Sequence, residues 1–363
     1  MKITRVEGIP LKTGPMLVRV YTDEGISGVG ECSGRNWKVL KPFIEDVLQP
    51  IIVGKDPRRL NQLWEEMFFG TSRLGPMGLQ TTGIGAIDIA CWDIFGKAVD
   101  MPLYDLLDGA ARTSIRLYWS TGLGWELQPK EMLAKLEAGY EIGMTPFKIR
   151  MDWNSNRQDA DPEKDYQIFK LCREFLPDDV PLSFDANNGY SVGTAINQGR
   201  RFEQLGIAHF EEPLPQYDYQ GLRQVVDALA VPVSSGEQEH TRWQFRDLIQ
   251  IGNPDILQPD IVMAGGISEL RKIYTLGETF NKPVMPHCPS AGISSAASFH
   301  LYSTVTNAVR PHEYSYEFSG PREEVESLFQ EPFVIERGYA AVPDRPGHGL
   351  VIDEAGLDRL RLK

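Results

Sequence analysis

Three acidic residues lie at equal intervals along the chain, and each follows a strand-like run of apolar or β-branched residues. They are Asp185, Glu211 and Glu237, and successive members are 26 residues apart. One strand–helix unit of a (β/α) barrel is about that long, so the spacing places the carboxylates at the active end of neighbouring parallel strands. Three hard oxygen ligands suit Mg²⁺, whose charge would offset their mutual repulsion. The sequence therefore predicts a magnesium site here, the alternative being unrelated surface carboxylates at loop starts.

An aspartate and a histidine end two later strand-like runs. Asp260 ends the sixth run and His287 ends the seventh. Adjacent barrel strands bring their ends into contact, so Asp260 can accept the Nδ1–H of His287 and leave Nε2 free as a base. A purely structural histidine is the alternative, but a carboxylate partner beside a metal site favours a general base.

Polar residues also mark the ends of the second, third and eighth runs. Lys148 and Arg150 are two positions apart, so they point the same way, and neither suits the apolar layer outside a barrel. Both are predicted to face the metal site, with ion pairs to barrel carboxylates as the alternative. Asn187 shares the face of Asp185 and is a predicted substrate contact. Glu313 is predicted either to hydrogen-bond a reacting oxygen or to orient a ligand.

The elements that must position these residues alternate between strand and helix patterns after Ala110. Eight strand-like runs separated by helical stretches predict an α/β fold with a parallel barrel. Earlier, the run Leu17–Glu31 predicts an antiparallel hairpin, and the apolar run Thr82–Lys97 predicts a buried helix. The predicted strands cover residues 114–120, 146–151, 181–187, 207–211, 232–236, 256–260, 283–287 and 311–316, and helices are predicted at 129–143, 162–175 and 266–280 among others.

Composition narrows the class of partner. The 363 residues accommodate a barrel of about 250 residues and a second domain. The net charge of −13, with no basic run, argues against nucleic acid. Four scattered cysteines without ligand spacing fit reduced thiols in a cytoplasmic protein. Neither a signal peptide nor a membrane span is indicated, so we expect a cytoplasmic protein without a membrane partner.

The order and spacing of these motifs resemble the enolase superfamily, in its mandelate racemase/muconate lactonizing enzyme-like subgroup. The resemblance covers nearly the whole chain and rests on Lys148-Ile149-Arg150, Asp185-Ala186-Asn187, Glu211-Glu212-Pro213, Gly236-Glu237, Gln258-Pro259-Asp260, His287 and the helix Ile87–Lys97. It implies a modified TIM-type (β/α)7β barrel at residues 113–319. It also implies an α+β capping domain at residues 1–112, completed by the tail 320–363, and a homo-oligomer, either a dimer or an octamer.

The family's common step is removal of a proton α to a carboxylate. The resemblance implies Mg²⁺ on Asp185, Glu211 and Glu237, and a His287–Asp260 dyad. Mg²⁺ on a substrate carboxylate oxygen, with Lys148 and Glu313 nearby, would stabilise the enediolate while a lysine or histidine takes the proton.

One position departs from the pattern of many relatives, which carry Lys-x-Lys where this chain has Lys148 and Arg150. A guanidinium stays protonated and cannot accept a proton at neutral pH, so racemisation by two bases is disfavoured. With His287 as the base and Arg150 fixing the substrate, we expect β-elimination of water from a sugar acid. The substrate is then an aldonate or aldarate, and the product a 2-keto-3-deoxy acid.

Capping-domain loops offer polar and aromatic side chains to a hydroxylated acid. Arg35, Trp37 and Lys38 are predicted to contact the substrate. Further candidates in these loops are Asn36, Phe68, Phe69, Thr71 and Arg73.

Two alternatives remain open. One is epimerisation or lactone cycloisomerisation from the same enediolate, with Tyr118, Tyr190 or Lys148 as the second acid/base. The other is a barrel that binds metal and ligand without turnover.

Overall fold

The N-terminal part is an antiparallel sheet covered by helices. The computed structural model describes residues 1–75, 77–151, 158–306, 308–317 and 319–362. Strands β1 (Ile3–Pro10), β2 (Met16–Thr22) and β3 (Ser27–Cys32) pair in that order, and the predicted hairpin is confirmed by the pairing of β2 with β3. The helices of this part are α1 (Trp37–Pro42), α2 (Gln49–Ile52), α3 (Leu60–Thr71), α4 (Leu79–Val99) and α5 (Leu103–Leu106), with a π-helical turn at Phe43–Leu48 and a 3₁₀ turn at Ser72–Leu74.

Helix α4 confirms the buried helix predicted from the apolar run. It packs so closely on β3 that a Cβ at Gly28 would lie 2.0 Å from the Ala90 carbonyl oxygen, and one at Gly30 would lie 1.9 Å from that of Ala86. Both strand positions therefore require glycine. Helix α4 is apolar, but it is not long and apolar enough to cross a membrane, and neither is any other helix in the described ranges.

The predicted modified TIM-type (β/α)7β barrel is confirmed. Strands β4 to β9 pair in parallel in chain order, and β10 pairs in parallel with β4, the first strand of the barrel. The seventh predicted strand, at 283–287, is present only as isolated bridges that join Leu257 to Val284 and Asp260 to His287. The barrel elements are β4 (Ser114–Thr121), α6 (Pro129–Glu141), β5 (Phe147–Arg150), α7 (Pro162–Phe175), β6 (Leu182–Asp185), α8 (Val192–Glu203), β7 (Phe210–Glu211), α9 (Tyr219–Ala228), β8 (Val233–Ser235), α10 (Thr241–Asp247), a π-helical turn at Leu248–Gly252, β9 (Ile256–Leu257), α11 (Ile267–Thr279), α12 (Ile293–Thr304) and β10 (His312–Tyr314).

A cluster of phenylalanines joins the sheet to the surrounding helices. The Phe184 ring on β6 lies 4.6 Å from that of Phe202 on α8, and Phe169 on α7 lies 4.9 Å from Phe202. Because successive side chains of a strand alternate, this contact turns the residues on either side of Phe184 into the barrel.

The C-terminal tail contacts both parts of the molecule. It contains α13 (Arg322–Glu326), β11 (Ile335–Glu336), β12 (Tyr339–Ala341) and α14 (Glu354–Leu360). Strand β12 pairs antiparallel with β4 of the barrel, whereas Arg361 bridges to Leu11 beyond β1. The tail thus returns to the N-terminal sheet, as expected, and also extends the barrel sheet. The domain limits at residues 112 and 320 stay predictions.

Two buried carboxylates of the N-terminal part bind the N-termini of barrel helices. Asp88 on α4 accepts hydrogen bonds from the backbone N–H (2.9 Å) and the hydroxyl (2.6 Å) of Ser268 on α11. Glu31 on β3 accepts hydrogen bonds from the Ile293 N–H (2.9 Å) and the Ser294 hydroxyl (3.0 Å) on α12. Helix N-termini favour negative charge, so these contacts hold the two parts of the chain together.

We predict that Asp88→Ala lowers the free energy of unfolding by about 2–3 kcal/mol, because it leaves the donors of Ser268 buried without their acceptor. Chemical denaturation of the full chain measures this. The control Glu65→Ala, at an exposed position of α3, should change the value by no more than about 0.5 kcal/mol. Equal effects of the two substitutions would show that the Asp88 contact does not stabilise the fold.

Candidate active site

Strand alternation turns the predicted metal ligands into the barrel. Asp185 and Glu211 are the last residues of β6 and β7 and lie side by side in the parallel register. Glu237 follows β8 after Gly236, whose φ of 132° favours glycine. A Cβ at Gly236 would also lie 2.9 Å from the Phe245 ring. The local chain path therefore places the third carboxylate at the same end of the barrel as the other two.

The structure brings the three acidic residues into one cluster. Carboxylate oxygens of Asp185, Glu211 and Glu237 lie within 4.8 Å of one another. Burial and the neighbouring charge of Glu211 raise the pKa of Asp185 well above its usual range. Such a concentration of negative charge requires positive compensation, and three hard oxygens at this separation fit the donor set of a divalent cation such as Mg²⁺.

The ammonium group of Lys148 lies among these carboxylates. Its Nζ is 3.3 Å from Asp185 and 3.0 Å from Glu313, and it also donates to Glu211. Burial lowers the pKa of Lys148, but the charges of Glu211 and Glu313 outweigh it and leave the pKa well above its ordinary value. The side chain thus points inward as predicted, and it makes the ion pairs that were the alternative.

Glu211 has two further polar neighbours that the sequence analysis did not single out as site residues. His209 Nε2 lies 3.3 Å from its carboxylate, and Gln258 donates to it at 2.5 Å. Burial raises the pKa of Glu211, but Lys148 and His209 lower it more, so the pKa lies below its usual range. The signal for His209 was available, because a residue two positions before an inward-facing residue of a strand also faces inward.

His287 faces the carboxylate cluster and is held from behind by Asp260. The Nδ1–H of His287 donates to Asp260 at 2.8 Å, which leaves Nε2 directed at Glu237, 3.3 Å away. Asp260 is itself oriented by the backbone N–H groups of Val262 and Met263. This is the arrangement of a general base whose tautomer is set by a carboxylate. The role of His287 as a base stays a prediction.

Asn187 and Glu313 are both tied to these groups. Asn187 donates its backbone N–H (2.8 Å) and its side-chain amide (3.1 Å) to Asp185, so it orients that carboxylate. Glu313 accepts the Cys288 N–H at 3.0 Å and lies 3.8 Å from His287 Nε2. Glu313 therefore lies between the ammonium of Lys148 and the imidazole.

Arg150 pairs with a carboxylate outside the motifs. Its guanidinium donates to Ser120 at 3.1 Å and to Glu317 at 2.5 Å. Glu317 follows β10 by three residues, and no pattern in the sequence connects it to the site. Arg150 thus points inward as predicted, and it forms an ion pair with Glu317.

A cavity of about 560 Å³ lies between the barrel end and the N-terminal part. Its walls include the metal-cluster residues Asp185 and Glu237, with His287 and Lys148. Arg150, Asn187, Asp260, Glu313 and Glu317 also line it. The predicted barrel residues other than Glu211, which is fully buried behind the wall, therefore meet around one space large enough for a small organic acid.

The N-terminal part lines this cavity differently from the prediction. Arg35 is in the wall, but Trp37 and Lys38 are not, because both lie on α1, where Lys38 is exposed. The other loop candidates, Asn36, Phe68, Phe69, Thr71 and Arg73, are also absent from the wall. The Phe68 ring instead stacks on Trp64 at 4.8 Å, in the core. The segment Lys12–Pro15 lines the cavity in their place, and sequence reasoning missed it because a short turn carries no chemical motif.

Residues 12–108 match the model of the mandelate racemase / muconate lactonizing enzyme N-terminal domain, and residues 131–356 match that of the enolase C-terminal domain-like family. The chain belongs to the mandelate racemase/muconate lactonizing enzyme family of the enolase superfamily. Members of this superfamily are enzymes, so the chain is an enzyme, and the cavity is its candidate active site.

Individual relatives agree in sequence and in fold. The chain is 32% identical to an arabinonate dehydratase of Saccharolobus solfataricus, over 95% of this chain and 90% of the relative. It is 30% identical to a D-galactarolactone cycloisomerase of Agrobacterium fabrum, over 96% and 91%. A solved mandelate racemase/muconate lactonizing protein from Paracoccus denitrificans PD1222, complexed with magnesium, superposes with a TM-score of 0.93 at 32% identity, covering 99% of this chain and 97% of that one.

We predict that Asp185→Asn in this mandelate racemase family member weakens Mg²⁺ binding by at least about 100-fold, since one of three anionic ligands becomes neutral. Isothermal titration with Mg²⁺ measures the affinity. Asp178→Asn, on the exposed outer surface, is the control and should leave the affinity unchanged. Unaltered binding by the Asp185 variant would place the cation elsewhere.

Proposed function

We propose that the protein is a Mg²⁺-dependent sugar-acid dehydratase that removes the α-proton of an aldonate or aldarate and expels its β-hydroxyl. The product would be a 2-keto-3-deoxy acid. The observation that carries the proposal is the position of His287 in the cavity wall. Its Nε2 lies 3.3 Å from Glu237 of the carboxylate cluster, and its Nδ1–H donates to Asp260. The relative named arabinonate dehydratase supports the reaction class.

Asp185, Glu211 and Glu237 would hold the magnesium ion. Their oxygens are close enough for one cation, and a solved relative is complexed with magnesium. When bound, the ion supplies positive charge that stabilises the negative charge developing on the substrate carboxylate. Lys148 contributes a second positive charge at the same place, since its raised pKa keeps it protonated.

His287 is proposed to move the proton. Burial lowers its pKa, but the carboxylates of Glu237, Glu313 and Asp260 raise it to about 10, so the ring is protonated at neutral pH without further compensation. A positive charge bound at Glu237 would offset the largest carboxylate contribution to the raised pKa of His287. It would therefore favour the neutral imidazole, which can act as a base. His287 could then take the α-proton and return it to the departing hydroxyl.

The opposite wall favours a one-base reaction over epimerisation. A guanidinium group such as that at position 150 is not a proton acceptor in proteins, and the raised pKa of Lys148 makes its amine a poor proton acceptor. Tyr118 and Tyr190 are not among the described residues that line the cavity, and Tyr190 donates its hydroxyl to Asp165. A second acid/base for inversion is therefore not provided by these candidates.

Cycloisomerisation of a lactone is the second candidate reaction. It is favoured by the relative named D-galactarolactone cycloisomerase, at an identity close to that of the named dehydratase. A barrel without turnover is not retained as an alternative, because the superfamily consists of enzymes and the His287–Asp260 pair has no use in binding alone.

The proposal predicts keto-acid release from at least one member of an aldonate and aldarate library in the presence of Mg²⁺. His287→Asn should lower kcat by at least about 10³-fold, because the base is lost, while Mg²⁺ affinity stays within about twofold. A keto-acid assay and titration calorimetry give the two values. Proton exchange in D₂O with inversion and no keto acid would contradict dehydration, and a fully active variant would remove His287 from its role.

A further inference from the structure

A second cavity, of about 550 Å³, lies where the N-terminal part meets the barrel. The start of α3 and Trp92 of α4 line one side of it, and α11 lines the other. Its wall shares no described residue with the candidate active site. We call it the basic cavity, after the wall residues Arg58, Arg59, Arg271 and Lys272.

The wall of the basic cavity is cationic, although the chain is acidic overall. Three guanidinium groups and one ammonium group line it, and none of its described wall residues is an aspartate or a glutamate. The chain as a whole carries a net charge of −13. Like charges around one space repel one another, so the basic cavity favours a ligand that brings negative charge.

The carboxylates nearby leave part of this positive charge uncompensated. Arg58 pairs with Asp56 at 2.7 Å, and Arg271 pairs at 3.3 Å with Asp108, whose side chain is 88% exposed. A pair so open to solvent binds its cation weakly. Arg59 forms no ion pair with any residue in the described ranges. At least two guanidinium groups can therefore turn to an anion at little cost.

Lys272 shares its carboxylate with a second cation. Its Nζ lies 3.3 Å from Glu269, and the Arg242 guanidinium lies 2.5 Å from the same side chain. The backbone N–H of Arg242 also donates to Glu269. One negative charge thus faces two positive charges, and the α11 side of the basic cavity keeps an excess of positive charge.

Arg271 and Lys272 each lie against the face of a buried tryptophan. The Arg271 guanidinium is 5.8 Å from the centre of the Trp92 ring, and Lys272 Nζ is 5.2 Å from that of Trp64. Both rings are buried, so their positions are fixed by packing. A cation–π contact restricts the cation without neutralising its charge, which leaves both charges available to an anion.

The start of α3 adds uncharged donors to the same wall. This helix begins at Leu60 without a side-chain cap, and Leu60 and Asn61 both line the basic cavity. The first backbone N–H groups of a helix have no partner within the helix and carry partial positive charge. They add to the attraction that the four side-chain cations exert on an anion independently of the helix.

We propose that the basic cavity binds a small phosphorylated metabolite, with its phosphoryl group against Arg59, Arg271 and the first turn of α3. Guanidinium groups and helix N-termini match the oxygens of a phosphoryl group. A volume of about 550 Å³ lies in the range of small-molecule sites, so the basic cavity also has room for the organic part of such a ligand. The ligand would contact both the N-terminal part and α11 of the barrel.

Titration calorimetry of the full chain tests this site with three phosphate esters, namely glucose 6-phosphate, glycerol 3-phosphate and 3-phosphoglycerate. EDTA is present, so that no ester binds through a metal ion at the acidic cluster. We expect at least one ester to bind in a 1:1 ratio with a Kd below about 1 mM. Glucose and glycerol should not bind, and inorganic phosphate should bind at least about fivefold more weakly than that ester.

Charge-removing variants locate the binding. Arg59→Met/Arg271→Met should weaken binding of the accepted ester by at least about tenfold, because two charge-assisted hydrogen-bonding groups are lost. Arg59→Met alone should weaken it by at least about threefold, and its exposed position makes it safe for folding if the double variant unfolds. The matched control Arg200→Met removes the same charge from the exposed surface of α8 and should change the affinity by less than about twofold.

A crystal structure with the accepted ester completes the test. The phosphoryl oxygens should lie within hydrogen-bonding distance of the Arg59 and Arg271 guanidinium groups. No binding of any of the three esters, equal affinity for inorganic phosphate, an equal loss in Arg200→Met, or an acidic segment of a second copy of the chain in the basic cavity would each overturn the proposal. None of these measurements uses turnover, so they decide this site whether or not the protein dehydrates a sugar acid.

Discussion

Repulsion among buried carboxylates is the constraint on which this site depends. The oxygens of Asp185, Glu211 and Glu237 crowd within 4.8 Å, and Glu313 adds a fourth acid close to them. Ionised carboxylates at such distances are tolerated only beside matching positive charge. Lys148 supplies part of that charge, and a bound divalent cation would supply more. The cluster is therefore suited to compensation by two positive charges, one from Lys148 and one from a bound divalent cation.

The same constraint accounts for the neighbours of the cluster. The Nε2 of His287 faces Glu237, which ties the proton affinity of the ring to whatever compensates that carboxylate. Arg150 forms an ion pair with Glu317, a carboxylate that is not part of the metal cluster. The side of the cavity that carries His287 is therefore suited to proton transfer. The side that carries Arg150 is suited to holding the substrate.

The cavity also depends on how the N-terminal part is attached. Glu31 accepts a hydrogen bond from the start of α12 on the barrel and also lines the cavity. The same residue therefore attaches the N-terminal part to the barrel and forms part of the cavity wall. A Cβ at Gly292 would lie 2.1 Å from the Glu31 carboxylate oxygen, so a larger residue there would displace the Glu31 side chain from its present position. Beyond β1, the backbone N–H of Lys12 donates to the Leu360 carbonyl of the tail, which fixes the turn that lines the cavity.

Strand periodicity and equal spacing were enough to predict the barrel, the inward direction of Lys148 and Arg150 and the convergence of the three acids. They work because a parallel barrel repeats one unit, so position within the unit determines position in space. The partners that were missed, such as Glu317 and Lys12, lie in loops whose paths are set by tertiary contacts. Trp37 and Lys38, predicted as substrate contacts, are not among the described residues that line the cavity, because the composition of a loop does not say which of its side chains face the substrate. The irregular seventh strand keeps only two bridges, a detail that an apolar run cannot specify.

The most direct test is a crystal structure of the protein soaked with Mn²⁺ in place of Mg²⁺, with anomalous diffraction to locate the metal. The account predicts one strong peak coordinated by Asp185, Glu211 and Glu237, with the Nε2 of His287 facing the same cavity. A peak bound by other side chains, or no peak at these three carboxylates at saturating Mn²⁺, would contradict it.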